Sequence, residues 1–295
     1  MNLLNINEGL RKAGYMSNMD IDMAVAGAMD GMALLIEGEP GVGKSCLASA
    51  TAKMLNLPLI RIQFYEGLTY DKILYDYDYQ RQLLTIQTMQ PALKEAMEHK
   101  SLKEAMDLAR SIDFFGKDFL IERPVLKAIS GKERCVLLLD EIDKAAEEIE
   151  YMLLEVLEDF SMSIPQYGTV TCPREQRPIV FLTSNHYREL SDALKRRCNY
   201  LYIPRKTKEE ILEIITMQSA LDQSIAMDVA SCMEKIQDLT LKQHPSVSEA
   251  INWAKYMEMH KDEIGPDELK GTLCFLAKNK EDRDRIWSVV KNQAG

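Results

Sequence analysis

Long apolar runs are missing from this 295-residue chain: none approaches the roughly 18 residues that a membrane-spanning helix needs, and Met1 to Asn7 carry no basic stretch ahead of an apolar one. A soluble, cytoplasmic protein without a membrane partner is therefore expected. Paired cysteines are missing too. The six, at positions 46, 135, 172, 198, 232 and 274, are scattered without short spacings, and several sit in apolar stretches where a thiol packs as a small hydrophobe, the pattern of a reducing compartment. His99, His186, His244 and His260 show no ligand spacing against cysteine or one another, so no structural metal is predicted. Basic charge is in deficit, with 36 lysines and arginines against 46 acids and a net charge of −10. Such a surface repels a phosphate backbone unless its basic groups cluster sharply, which makes nucleic acid a poor partner. There is no internal repeat and no low-complexity tract.

What the chain does have is ample apolar content, 46%, arranged in an alternating strand and helix rhythm. Five strands are predicted, Met32 to Ile36, Leu57 to Phe64, Cys135 to Leu139, Ile179 to Thr183 and Tyr200 to Ile203, with helices between them that argue for a parallel sheet in a three-layer α/β core. One such helix spans Ala146 to Phe160, with Ile149, Met152, Leu153, Val156, Leu157 and Phe160 as its buried stripe. After Pro204 and the polar Arg205 to Lys208 the strand signals stop. Helices are expected over Lys208 to Met217, Met227 to Leu239 and Val247 to Met257, giving a core over 1–205 and an all-α domain over 206–295. Two segments interrupt the rhythm. Tyr75, Tyr77 and Tyr79 alternate with acids as a short strand ahead of helical sequence from Pro91 to Arg110, and Ser161 to Cys172 reads as a hairpin. The tyrosine stripe could face a pore or client, or pack on its own domain.

Gly38-Glu39-Pro40-Gly41-Val42-Gly43-Lys44-Ser45 has the Walker A spacing and lies between an apolar strand and the helical stretch Cys46 to Leu55. Its backbone N–H groups, from Glu39, Pro40's neighbours and Gly41 through Val42, Gly43 and Cys46, suit a nucleotide's phosphates, with Lys44 reaching the outer ones and the Ser45 hydroxyl on Mg²⁺. Cys135 to Leu139 is an apolar strand ending in two acids. Asp140 is predicted to hold the metal through its water shell and Glu141 to polarise the attacking water. ATP and Mg²⁺ are thus the expected ligands. Ile179 to Asn185 repeats the layout and brings Asn185 to the γ-phosphate, although strands also end in Asn for turn reasons alone. Lys195-Arg196-Arg197 precedes the last strand. An arginine there, Arg197 ahead of Arg196, could reach a neighbouring copy's γ-phosphate, a contribution of about 10³ to 10⁵ in rate in GTPases; a solvated basic turn is the plain alternative.

With these elements in order the sequence resembles the AAA+ ATPases, and within them the MoxR family, in its CoxD-like branch of molybdenum-hydroxylase accessory proteins. The stretches that carry the resemblance are LLIEGEPGVGKS (34–45), IRIQFYEGL (60–68), YQRQLLTIQ (79–87), FLIERPVLKAI (119–129), VLLLDEIDKA (136–145), SIPQYGTV (163–170) and TSNHYRELSDALKRRC (183–198). The resemblance implies a homo-oligomeric, hexameric ring with the site between subunits, and an insert in the second helix near 71–89. It also implies a hairpin before the sensor strand, a von Willebrand factor A-type partner and a chaperone-like role in maturing a client such as a molybdenum hydroxylase. One departure stands out: where many AAA+ lids carry a sensing arginine, His244 to Ser248 has none, so that either Lys242 or a neighbour substitutes or nucleotide state passes to the lid more weakly than usual. Gln63 reads as an ordinary strand-end residue; alternatively it hydrogen-bonds Glu141. A nucleotide-gated scaffold and a nucleic-acid motor are the competing functions.

Overall fold

A computed structural model describes residues 3–97, 113–219 and 221–291. The chain opens with α1 (Leu3–Lys12) and α2 (Met19–Met29), the latter capped by Asn18, whose side chain accepts from the Ile21 amide. Then follow β1 (Ala33–Glu37), α3 (Lys44–Leu55) and β2 (Leu59–Gln63). The insert comprises α4 (Tyr70–Ile73), β3 (Tyr75–Tyr77), α5 (Tyr79–Met97) and β4 (Leu120–Glu122). The core resumes with α6 (Pro124–Ser130), β5 (Val136–Asp140), α7 (Glu147–Asp159), the hairpin β6 (Ser161–Ile164) and β7 (Gly168–Thr171), β8 (Ile179–Ser184), α8 (Asp192–Lys195) and β9 (Cys198–Tyr202). Five α-helices follow among the described residues: α9 (Lys208–Gln218), α10 (Gln223–Gln237), α11 (Val247–Met259), α12 (Pro266–Thr272) and α13 (Lys280–Val290).

The five predicted strands form one parallel sheet in the order β2-β5-β8-β1-β9. Its three central strands are buried along their whole length because helices cover both faces, which is why they read as unbroken apolar runs. Alternation splits them between two cores. Leu35, Leu137 and Leu182 pack with α6 and α7, while Leu34, Leu138 and Phe181 pack with α1, α2 and α3. The register pairs Ile36 with Thr183, Leu139 with Leu182 and Gln63 with Asp140. The C-terminal ends of four strands therefore lie along one edge, where ligands of open α/β sheets bind.

A third core, built around Ile211, Val229, Met233, Ala250, Trp253 and Ile286, holds the C-terminal helices together. The Trp253 indole N–H, buried within it, donates to the Thr272 hydroxyl at 2.8 Å. Capping boxes at Thr207 and Ser246 fix the starts of α9 and α11.

Several local expectations need correction. Met152 is 38% exposed: it flanks the row of Ile149, Leu153, Val156 and Leu157 that faces the core. The tyrosine alternation ends at Tyr77, because Tyr79 begins α5 and is exposed. Tyr77 packs inward and its hydroxyl donates to the Pro165 carbonyl at 2.9 Å, tying the insert to the turn of the β6–β7 hairpin. The helical reading of 91–110 is met by α5 as far as Met97; the rest, with His99, lies outside the described residues. Among the described residues no helix is long and apolar enough to cross a membrane, and no group of histidines, cysteines and carboxylates could hold a metal alone.

Candidate functional site

Between β1 and α3 the chain doubles back through residues 38–43, and left-handed backbone makes that possible. Gly41 has φ +84 and sits so close to α11 that a Cβ there would lie 2.7 Å from the Ser246 Cβ; Gly43, at φ +101, opens α3. The turn delivers Lys44, a buried cation, to the sheet edge. Its ammonium donates to the carbonyls of Gly38 (2.6 Å) and Glu39 (2.9 Å) and to Asn185 Oδ1 (2.6 Å). Burial lowers its pKa, and the carboxylates of Asp143, Asp140, Glu141 and Glu39 oppose that shift by favouring the charged form.

The next residue reaches β5. The Ser45 hydroxyl donates to Asp140 Oδ1 at 2.6 Å, and the Thr183 hydroxyl at the end of β8 donates to the same oxygen at 2.6 Å. A hydroxyl and a carboxylate at one point are the hard oxygen donors magnesium takes from a protein, so the residues present fit that ion.

Glu141 follows in left-handed backbone, φ +57, at a cost of about 1 kcal/mol for a glutamate. Its Oε2 accepts from the Lys144 ammonium at 2.6 Å and its Oε1 from Asn185 Nδ2 at 3.3 Å. The Asn185 amide thus bridges Lys44 and Glu141. Gln63 does not bond Glu141: it is exposed on an edge strand, and its Oε1 accepts from Arg61 at 2.7 Å.

Behind these residues Asp143, fully buried, accepts from the backbone N–H groups of Asn185 (2.9 Å) and Tyr187 (2.8 Å) through Oδ2, fastening the loop after β8 to the turn after β5. Asp143→Ala leaves both amides short of a partner. An unsatisfied donor costs about 1–3 kcal/mol, so the melting temperature should drop by several degrees, with Asp143→Asn losing less; equal melting of all three proteins would show that the clamp carries no load.

A cleft of about 230 Å³ runs over this edge, bounded by the P-loop, both acids and Asn185, with Ser246 and Ser248 closing it from the helical region. It continues past Gly41 and Gly43 into a narrower hollow between Tyr15, Met16, Lys206, Val247 and Ile251. There the Tyr15 hydroxyl is buried without a partner, and burial, then Cys46 and Glu210, raise its pKa. A roomier cavity of about 440 Å³ opens beside Glu37, His186 and Tyr200, yet no P-loop residue lines it. Donor geometry, not size, singles out the smaller cleft as the candidate site.

The model of the AAA domain, dynein-related subfamily, matches residues 33–198, from the first residue of β1 to that of β9. This chain belongs to that family. It therefore has the P-loop AAA+ architecture, in a family of ATPases. The AAA chain is also similar to solved structures of RuvB from Thermotoga maritima. For one of them, a point mutant, the identity is 18% and the TM-score 0.48, over 86% of this chain and 67% of that one. For the structure titled Holliday junction branch migration motor they are 18% and 0.46, over 90% and 68%. Among curated proteins nothing matches.

In the AAA chain the remaining predicted residues fall as follows. Glu39 is pinned by Arg205, whose Nε donates to Oε2 at 2.5 Å; Pro40 and Cys46 line the cleft, and Val42 is buried beneath the loop. Neither Arg196 nor Arg197 lines the cleft of its own chain. Arg196 is exposed, while Arg197 donates to Glu158 Oε2 at 2.9 and 2.5 Å. Lys242 does not line the cleft, and its exposed ammonium pairs with Glu281 at 2.9 Å. The residues that sequence reasoning missed are Arg61, Asp143, Lys144, Thr183 and Tyr15. Of these, Asp143 and Lys144 left a trace, as charges close behind the paired acids, past Ile142.

Proposed function

We propose that this AAA chain binds MgATP and hydrolyses it at a site that a second copy completes. On this reading 1–205 is the nucleotide-binding core and 206–295 a lid. The observation that carries it is the convergence of Lys44, Ser45, Asp140, Glu141 and Asn185 on one cleft through direct hydrogen bonds. The loop amides and Lys44 grip the phosphates, with the ammonium exchanging one of its three bonds for a phosphate oxygen. Ser45 and Asp140 would hold magnesium, which neutralises charge on the phosphates when bound. Glu141 takes the proton of the attacking water and Asn185, already bonded to it, keeps it aimed. The adenine base is assigned to the narrow hollow beside Tyr15, because apolar walls there adjoin the loop.

Arg196 and Arg197, away from their own cleft, suit the role of groups lent to a neighbour in a hexameric ring. Arg196→Ala and Arg197→Ala are the test. One of them should lower turnover about 10²-fold or more while ATP affinity stays put, and mixing it with Glu141→Gln chains should restore part of the activity. No loss in either variant, or no recovery in the mixture, removes the shared site. The resemblance to the MoxR family's CoxD-like branch supports the wider role: a chaperone-like remodelling ATPase that works with a von Willebrand factor A-type partner on a client such as a molybdenum hydroxylase. One observation favours a nucleotide-gated scaffold instead, that the lid presents serines rather than a cation to the cleft. A scaffold would act equally well with a non-hydrolysable analogue. The net charge of −10 weighs against a nucleic-acid motor.

A further inference from the structure

Asp140 is 2% exposed, and a buried carboxylate demands a counter-charge. Lys44 offsets that charge through space but makes no hydrogen bond to it, because its three N–H groups go to two loop carbonyls and Asn185. The direct ionic partner comes from the edge strand. Arg61, on β2, extends along the sheet edge and places Nη2 2.5 Å from Asp140 Oδ2, with Gln63 Oε1 accepting from the same nitrogen at 2.7 Å. The two oxygens of Asp140 are thereby divided: hydroxyls of Ser45 and Thr183 on Oδ1, a guanidinium on Oδ2.

We propose that Arg61 competes with magnesium for Asp140 and so sets the concentration of the ion at which nucleotide binding becomes metal-dependent. This deepens the MgATP reading and rests on it. A guanidinium on Oδ2 and a divalent cation approaching the Ser45 side of the same carboxylate repel each other, so each weakens the other's hold on Asp140 and the ion binds more readily as Arg61 withdraws. Withdrawal is easy: the arginine side chain is 54% exposed and its stem is flexible, so water takes over its hydrogen bonds. Without metal, Arg61 keeps the buried acid neutralised, which spares the site a lone negative charge beside the phosphates. Arg61 is thus a positioning residue that acts through Asp140.

The test is equilibrium binding of a fluorescent ATP analogue, in EDTA and across a magnesium titration, to the unaltered protein and to Arg61→Met, Arg61→Gln and Arg61→Lys. Removing the charge should lower the half-saturating magnesium concentration by about three- to fivefold, the scale of a half-exposed ion pair. Affinity in EDTA should stay level or fall, and Arg61→Lys should stay within about twofold of the unaltered protein. A merely structural role would weaken binding equally with and without the metal. An unchanged or raised magnesium requirement in both Arg61→Met and Arg61→Gln overturns the proposal. If the unaltered protein binds no nucleotide in either condition, the MgATP reading fails and takes the proposal with it; if only the magnesium shift is missing, that reading survives.

Discussion

Glu141→Gln should hold ATP within about twofold of the unaltered protein and turn it over about 10² to 10³ times more slowly, the usual contribution of a positioned general base. The substitution keeps the shape of the side chain and an oxygen that can still accept from Asn185. What it removes is the carboxylate's ability to take a proton from water. The ion pair with Lys144 is lost as well, but both partners are partly exposed, so stability should move little. Phosphate release in single turnover, set beside equilibrium binding, separates the two effects, and undiminished turnover would take Glu141 out of the mechanism.

Lys44→Ala should abolish activity at an earlier step. The ammonium is buried against the P-loop carbonyls, and a charge-assisted bond to a phosphate is among the strong contacts a protein makes. Losing it should weaken nucleotide binding by about 10²-fold, the ratio expected for about 2.7 kcal/mol. The Gly38 and Glu39 carbonyls and the Asn185 amide would lose their shared donor at the same time, so the loop after β8 should loosen with the P-loop. Titration of the nucleotide against each protein checks this, and binding within twofold would place the phosphates elsewhere.

The framework was legible because a fully buried parallel strand leaves a plain mark: an unbroken apolar run. The Cys135 to Leu139 reading lies one residue from Val136–Asp140, and such small offsets do not disturb which ends share an edge. Lys44, Ser45, Asp140, Glu141 and Asn185 could be gathered from spacing alone for that reason. The partners that hold them could not. Thr183 looks like one more β-branched strand residue until the register brings it beside Asp140, and Arg61 lies two places below its strand's end, reaching the acid only through the length of its side chain. Asp143 lies in the turn after the paired acids, and nothing along the chain marks it as serving two amides more than 40 positions away. Gln63 is the ordinary strand-end residue its position suggests, exposed and bonded to Arg61 rather than to Glu141.

The Arg205 guanidinium grips Glu39 with one nitrogen and the Gln237 carbonyl, 3.0 Å away at the end of α10, with another. A strut of this kind gives the phosphate loop a short mechanical route to the helices that bypasses the sheet. Residue 39 and the C-terminal end of α10 are thus tied through one side chain, with no strand in between.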